Sequence, residues 1–352
     1  MVRRKIGRMG GVGNHQGRPR SRSDESPLLE KVKLDDIDRS DGLFSMNFEP
    51  DLEPLIASAE QVGILEPIWL RRKAKKLQII NGFRRFDVAQ KLGMETLGAL
   101  VWKKERIDDQ TAFLMGIHEN ILGRGLNLVE RGLVLDKLLS RFSLSRNEII
   151  RNWLPLLNLE PSDNILNGFL LINTFSKGVK RYLLGHGLSL TNVMLLAKFS
   201  KEDRQLICRS LSHLRIGENV LREMLTFLRE IAHRDGIRIA DLLSNPRIQV
   251  PLSDHRLSGP QKIQAIRRFL REKRYPRLSE LEERFSASKK GMNLPPQIKI
   301  TPPPFFEGDR FKIEFSFGSL EEYEKNLATL QKLSKERVGD LLMIKGYGSE
   351  PV

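Results

Sequence analysis

The sequence predicts an α+β protein: a small α/β domain, then an all-α stretch, then a small C-terminal strand–helix unit. Three observations carry this. Between residues 28 and 110 short apolar runs alternate with amphipathic segments closed by glycine. From Asp108 to about residue 244 the apolar period is helical throughout. Beyond Pro295-Pro296 and Pro302-Pro303-Pro304, the residues Phe311, Ile313, Phe315 and Phe317 alternate with polar ones ahead of a last helical stripe.

These shifts divide the chain into a basic tail (1–27), an α/β domain (28–118), a helical domain (119–250), a basic helix with linker (251–298) and a C-terminal unit (299–352). In the tail Arg3, Arg4, Lys5, Arg8, Arg18, Arg20 and Arg22 sit among glycines with little apolar surface to bury, the composition of disorder. It reads equally as an arm gripping phosphates and as a solvated tail, and it is no phosphate loop, since no Gly-Lys-Ser/Thr follows the glycines.

In the α/β domain, Val32, Leu34 and Ile37 suggest a short strand. Leu52, Leu55, Ile56 and Ala59 keep helical spacing up to Gly63. Ile68–Leu70 and Leu77–Ile80 read as strands, 84–92 as a helix closed by Gly93, and 97–102 as another strand. Helices are then expected at 109–121, 127–141, 145–154, 162–174, 176–184, 189–198, 201–212, 217–233 and 237–243. Ser145 with Glu148, and Asn127 with Glu130, have the spacing of helix-capping boxes. Pro246 and Pro251 mark a linker, and Pro276 should kink or end the basic helix carrying Lys262, Arg267, Arg268, Arg271, Lys273 and Arg274. At the C-terminus Leu320, Tyr323, Leu327, Leu330 and Leu333 form a stripe of about two heptads, open between packing on its own strand and a dimer contact.

A formal charge of +15, from 59 Lys and Arg against 44 Asp and Glu, points to polyanionic partners. The single cysteine, Cys208, excludes an intramolecular disulfide framework and a Cys-based zinc finger, and its helical run reads as core. No apolar stretch suggests a signal peptide or membrane span, so a cytoplasmic protein without membrane contact is expected.

Two segments carry chemistry. In Ile79-Ile80-Asn81-Gly82-Phe83-Arg84-Arg85 a strand runs into a glycine turn, and two arginines enter the first turn of a helix. Gly82 permits close backbone approach, the helix start presents free N–H groups, and the guanidinium groups add bidentate donors: an anion site, set against a solvated helix face. In His118-Glu119-Asn120-Ile121-Leu122-Gly123-Arg124, Glu119 and Asn120 offer the hard oxygen ligands Mg²⁺ prefers. Leu122 stands where a His-Glu-x-x-His zinc motif needs its second histidine, so that motif is excluded.

These segments, about 35 residues apart, resemble the G-E-R-R and E-N-[LI]-Q-R-x-x-L-N-x-x-E boxes of the ParB/sulfiredoxin-like N-terminal domain, as in partition proteins of the ParB/Spo0J type. Gly63 to Ile68 is similar to the family's glycine and "x-x-P-[IV]" strand, and Leu92-Gly93 with Thr96 and Ala99 to a further run; the likeness covers roughly residues 30 to 200. The resemblance implies that Gly82, Arg84, Arg85 and Arg124 bind CTP, the arginine box on its phosphates, and that Glu119 and Asn120 hold Mg²⁺. It departs at two positions: Phe83 replaces the box glutamate, and Gly123 takes the place of an arginine, with Arg124 displaced by one residue. Any enzymatic activity is therefore expected to be at most a weak CTPase, and the absence of a carboxylate cluster around Glu119 speaks against a nuclease.

The resemblance also implies a helix-turn-helix, with Ser145–Leu154 as first helix and Ser162–Thr174 as recognition helix. The latter lacks Arg and Lys, so double-stranded DNA contacts are expected from Ser162, Asn164 and Asn167, with phosphate contacts from Lys177, Lys180 and Arg181. The implied function is DNA binding in chromosome or plasmid partition, as a homodimer gated by CTP-Mg²⁺ and served by a ParA-type ATPase. The alternative is a site-specific transcriptional regulator or mobile-element factor with a degenerate nucleotide pocket.

Overall fold

The computed structural model describes residues 26–103, 107–308, 310–333 and 335–344. The basic tail lies outside them up to residue 25. The chain folds as two compact units, Met1–Thr174 and Phe175–Val352.

The first unit opens on a five-stranded sheet. Its strands are β1 (Leu28–Lys33), β2 (Ile37–Asp38), β3 (Ile68–Lys73), β4 (Lys76–Asn81) and β5 (Thr96–Trp102), in the order β1-β5-β3-β4-β2. β3 and β4 form an antiparallel hairpin, β5 returns parallel to β3, and β1 closes antiparallel on β5 with Leu28 opposite Val101. The alternation of short apolar runs and helices anticipated this mixed sheet. Helix α1 (Glu53–Val62) ends at Gly63, and α2 (Phe83–Lys91) starts directly from β4 through Gly82. Ile68, Leu70, Ile79, Ile80, Val88, Ala89 and Ala99 are essentially inaccessible and make the core, joined by Phe113 and Ile117 of α3 (Asp109–Gly123).

Arg71 is buried on the same sheet. It donates to Gln78 Oε1 at 2.6 Å and to the Ile107 carbonyl at 3.2 Å, and pairs with Asp109. Its guanidinium lies 4.9 Å from the centre of the Phe44 ring, which fixes one end of the loop leading to Asn47.

Helix α4 (Leu128–Ser140) begins in the anticipated capping box: Asn127 Oδ1 accepts from the Glu130 N–H at 2.9 Å, and Glu130 Oε2 accepts from the Asn127 N–H at 3.1 Å. A helical run follows as α5 (Arg146–Glu148), a π-helical turn (Ile149–Trp153) and α6 (Leu154–Leu156), and then α7 (Asp163–Asn173). Helical turns thus cover 146–156 and 163–173, close to the spans 145–154 and 162–174 expected to be helical. α4 packs closely on α7: a Cβ at Gly132 would stand 2.9 Å from the Phe169 carbonyl, and Asn173 Nδ2 donates to the Gly132 carbonyl at 2.8 Å.

The second unit is helical up to residue 291: α8 (Lys177–Gly185), α9 (Leu190–Leu196), α10 (Lys201–Leu211), α11 (Glu218–Asp235), α12 (Ile239–Leu243), α13 (Pro246–Ser253), α14 (Gly259–Arg274) and α15 (Pro276–Gly291). Leu221, Leu225 and Leu228 of α11, with Ile266, Phe269 and Leu270 of α14, build its buried centre. One proline reading needs correction. Pro246 opens α13 and Pro251 lies inside it, where a linker was expected, whereas Pro276 does end the basic helix, α15 starting directly from it. A proline's missing N–H costs nothing in the first turn, where that donor has no helical acceptor anyway.

The basic helix is partly neutralised within the chain. Arg267, Arg271 and Arg274 pair with Glu223, Glu282 and Glu230, and Lys262 donates to the Leu252 carbonyl.

At the C-terminal end β6 (Ile298–Thr301) pairs antiparallel with β7 (Lys312–Phe315), followed by α16 (Leu320–Gln331) and α17 (Lys335–Leu342). Ile300 and Phe306 cluster with Met292, Leu341 and Ile344. The alternating aromatic run does form a strand, yet Ile313 and Phe317 stay exposed, as do Leu320, Tyr323 and Leu327 of α16. The stripe meets its own strand through Tyr323, whose ring lies 6.0 Å from Phe315 and 5.0 Å from Phe317. Among the described residues, no helix is long and apolar enough to cross a membrane.

Candidate functional site

The C-terminal ends of β4 and α3 and the start of α2 face one cleft of about 580 Å³ in the first unit. Gly82 makes the turn into α2 at φ +96°, and a Cβ there would meet Ile68 Cγ2 at 2.6 Å, so only glycine lets β4 enter the helix this way. The turn points the first residues of α2 at the cleft. Arg84, Arg85, Glu119, Asn120 and Arg124 all line it, together with Gly82, so the two sequence segments do converge.

The guanidinium groups are held in a polar lattice. Arg84 donates to Asn47 Oδ1 and to Glu130 Oε1, both at 3.2 Å. Arg124 donates to Glu130 Oε2 at 2.7 Å, to Asn47 Oδ1 at 3.1 Å and to Asn120 Oδ1 at 2.9 Å. Arg85 reaches Glu66 Oε2 and the Pro67 carbonyl at 3.0 Å, and lies 3.5 Å from Glu119 Oε1.

Glu130 is completely buried, so one carboxylate caps α4 and also holds two arginines side by side. Burial, and then the neighbouring Arg124, press the Arg84 pKa below its ordinary value. The cleft thus gathers three arginines, each already paired with a carboxylate: Arg84 and Arg124 with the buried Glu130, Arg85 with Glu66 and Glu119. Their bidentate donors suit an anionic ligand that exchanges for those carboxylates. The remaining wall is apolar, from Phe44, Met46, Pro54 and Leu55. Asn81, buried in the wall, has an Nδ2 without a hydrogen-bond partner.

Phe83 is buried 5.4 Å beneath the Arg39 guanidinium and adds no proton-transferring group. Glu119 and Asn120 bring one carboxylate and one amide oxygen, and among the described residues no group of three His, Cys, Asp or Glu is placed to bind a metal. The displacement of Arg124 by one residue does not remove it from the cleft. Asn47 and Asn81 had no assigned role in the sequence reading. Asn47 carried no local signal because its partners lie 37 and 77 residues away.

The other candidate contacts are spread over both units. Asn167 belongs to a network in which Arg146 donates to Asn167 Oδ1 at 2.6 Å and to Asp163 Oδ1 at 2.7 Å, while Asn167 Nδ2 donates to Asp163 Oδ2 at 2.8 Å. Ser162 precedes α7 without a side-chain cap, and Asn164 is exposed in its first turn. On α8, Lys177 and Arg181 are exposed while Lys180 is buried, which takes Lys180 away from the surface where a phosphate contact was expected.

Residues 19–121 match the model of the ParB N-terminal domain. The matched stretch contains the glycine–arginine turn and the Glu119-Asn120 pair, while Arg124 and Glu130 lie just beyond the match. A probable chromosome-partitioning protein ParB of Coxiella burnetii is 31% identical over 154 residues, which is 40% of this chain and 51% of that protein. A nucleoid occlusion protein of Halalkalibacterium halodurans is 36% identical over 98 residues, 28% of this chain and 34% of that one. The chain therefore spans about half, or less, of these curated relatives. The C-terminally truncated ParB of Caulobacter crescentus, solved complexed with CTP-γ-S, shares 22% identity over 53% of this chain and 99% of that one. The TM-score of that match is 0.25.

Proposed function

We propose that this ParB-type chain binds double-stranded DNA in chromosome or plasmid partition, and that its first unit binds CTP-Mg²⁺ as a gate. The observation that carries the gate is the convergence of Arg84, Arg85 and Arg124 on one cleft with Glu119 and Asn120 beside them. A triphosphate suits three guanidinium groups and the open first turn of α2. The unpartnered Asn81 Nδ2 and the apolar wall suit the rest of a nucleotide. Glu119 and Asn120 would hold Mg²⁺ only with phosphate and water oxygens completing its shell, the way Mg²⁺ is usually held on nucleotides. The metal would neutralise phosphate charge, while the arginines orient the chain of phosphates.

With Phe83 buried where a carboxylate would be needed, the pocket supports binding with at most weak hydrolysis. DNA contacts are assigned to α7, through Ser162, Asn164 and Asn167, with Lys177 and Arg181 of α8 on phosphates. The exposed apolar surface of Ile313, Phe317, Leu320, Tyr323 and Leu327 supports a homodimer formed through the C-terminal unit. A nucleoid-associated location and recruitment of a ParA-type ATPase belong to the same reading.

Binding of labelled CTP, compared between the wild-type chain and Arg84→Ala, tests the gate. Loss of one charge-assisted contact should weaken binding by about ten- to a hundredfold. No CTP binding by the wild type, or equal binding by the variant, would remove the nucleotide from this reading. Crosslinking and sequencing of genomic occupancy separates the roles. Enrichment spreading over kilobases and lost in Arg84→Ala supports partition. Sharp peaks indifferent to the substitution support a regulator, the second reading, which the buried Phe83 favours.

A further inference from the structure

A second cleft, of about 700 Å³, lies in the second unit between α8 and α10. Its floor is the start of α8: Ser176, Lys177, Gly178 and Val179 all line it. Ser176 is the N-cap residue but makes no side-chain cap, so the first-turn N–H groups keep their hydrogen-bonding capacity. Gly178 leaves them uncovered, because a Cβ there would meet nothing within 4 Å. Across the cleft stands Arg209 of α10, exposed, and none of the lining residues is acidic.

An independent feature points to a ligand. Tyr182 lines the cleft and is only 5% exposed, yet its hydroxyl has no hydrogen-bond partner. A buried, unpaired hydroxyl is costly and calls for a partner that the protein itself does not supply. Burial, and then the nearby Cys208, raise the Tyr182 pKa, so the phenol remains a donor across the physiological range. Burial likewise pushes the Cys208 thiol up to about 12, which keeps that wall neutral toward an anion.

We propose that this cleft is a phosphate-binding site, separate from the arginine cleft of the first unit: the N–H groups opening α8, Lys177 and Arg209 receive one phosphate group, in a cleft whose wall also holds the unpaired Tyr182 side chain. Every one of these is a donor, and a helix start with flanking cations is the usual protein setting for a phosphate. The group can belong to a small phosphorylated molecule or to a DNA backbone, since both present the same oxygens.

The test follows the Gly178 amide by NMR in the full-length chain labelled with ¹⁵N-glycine, its resonance assigned by its loss in Gly178→Ala. Inorganic phosphate at constant ionic strength should move this resonance saturably, whereas chloride should not. Arg209→Ala alters an exposed side chain and should weaken the response about tenfold, the low end for loss of a charged contact. Arg84→Ala, in the other cleft, should leave it unchanged. Gly178→Asp places a carboxylate where the anion belongs, and should abolish phosphate binding while keeping or raising the melting temperature. A Gly178 resonance that ignores phosphate, moves equally with chloride, or responds undiminished in Arg209→Ala overturns the site. Displacement of bound phosphate by duplex DNA identifies the DNA backbone as its source; retention identifies a small molecule.

Discussion

Replacing Glu130 by alanine tests the claim that one buried carboxylate organises the arginine cleft. The side chain is fully inaccessible and lies 3.2 Å from Arg84 Nη2 and 2.7 Å from Arg124 Nη1. At an effective dielectric near 20, each contact corresponds to about 5 kcal/mol of gross attraction. Most of that is offset by desolvation, so the informative quantity is the cost of removing one partner, about 3–5 kcal/mol for a buried pair. The arginine side chains keep 27% and 28% of their exposure, which favours the lower end. Loss of the second bond of the α4 capping box adds up to about 1 kcal/mol. A loss of about 3–4 kcal/mol is therefore expected.

Tryptophan fluorescence in a urea titration is a clean assay. The chain has 3 tryptophans, Trp69, Trp102 and Trp153, all in the first unit, so the signal ignores the second. With a slope of about 2 kcal/mol per molar urea, the midpoint should fall by roughly 1.5–2 M. A loss under about 1 kcal/mol would mean that Glu130 is an ordinary cap and that water, not this carboxylate, balances the arginines.

Three further outcomes are expected. Gly82→Ala, forced to φ +96° with its methyl 2.6 Å from Ile68 Cγ2, should cost about 2–4 kcal/mol in the same titration, combining backbone strain and overpacking. Lys137 donates to the carbonyls of Gly42, Leu43 and Ser45, and burial holds its pKa down at about 8 from an ordinary 10.5. The unfolded chain then binds more protons between those values, so the stability difference between wild type and Lys137→Met should grow as pH rises from 8 to 10.5, and a flat difference would refute the shift. Asp163→Asn removes an acid from α7 and releases Arg146, so affinity for a short duplex, followed by fluorescence anisotropy over a salt series, should rise and its salt slope steepen by up to about 1.

The helices between residues 109 and 243 were legible because each keeps one apolar stripe and ends on local signals, such as the Asn127–Glu130 box or Gly236 beyond α11. The glycine–arginine turn was legible for the same reason: a strand, a glycine and a helix start are adjacent in sequence. Pro246 misled because a proline's effect reverses between the interior and the first turn of a helix, and composition does not say which applies. Asn47 was invisible for another reason. Its place at the cleft is fixed by the Phe44–Arg71 contact and by Lys137 gripping carbonyls 42–45, all long-range. The exposed face of Ile313 and Phe317 shows the converse limit: alternation marks a strand but not whether its own chain covers it.

The strand order of the first unit also bears on its birth. β1 is the first strand made, yet its neighbour is β5, the last, with Leu28 opposite Val101. On the ribosome, the β3–β4 hairpin can close within a few residues of its turn, whereas β1 must wait, edge unpaired, until residue 102 has emerged. Leu28 and Leu29, exposed even in the finished sheet, are then open to any other strand nearby. A nascent chain stalled before β5 thus leaves β1 without its sheet neighbour, and synthesis that slows between residues 81 and 96 would lengthen that exposure.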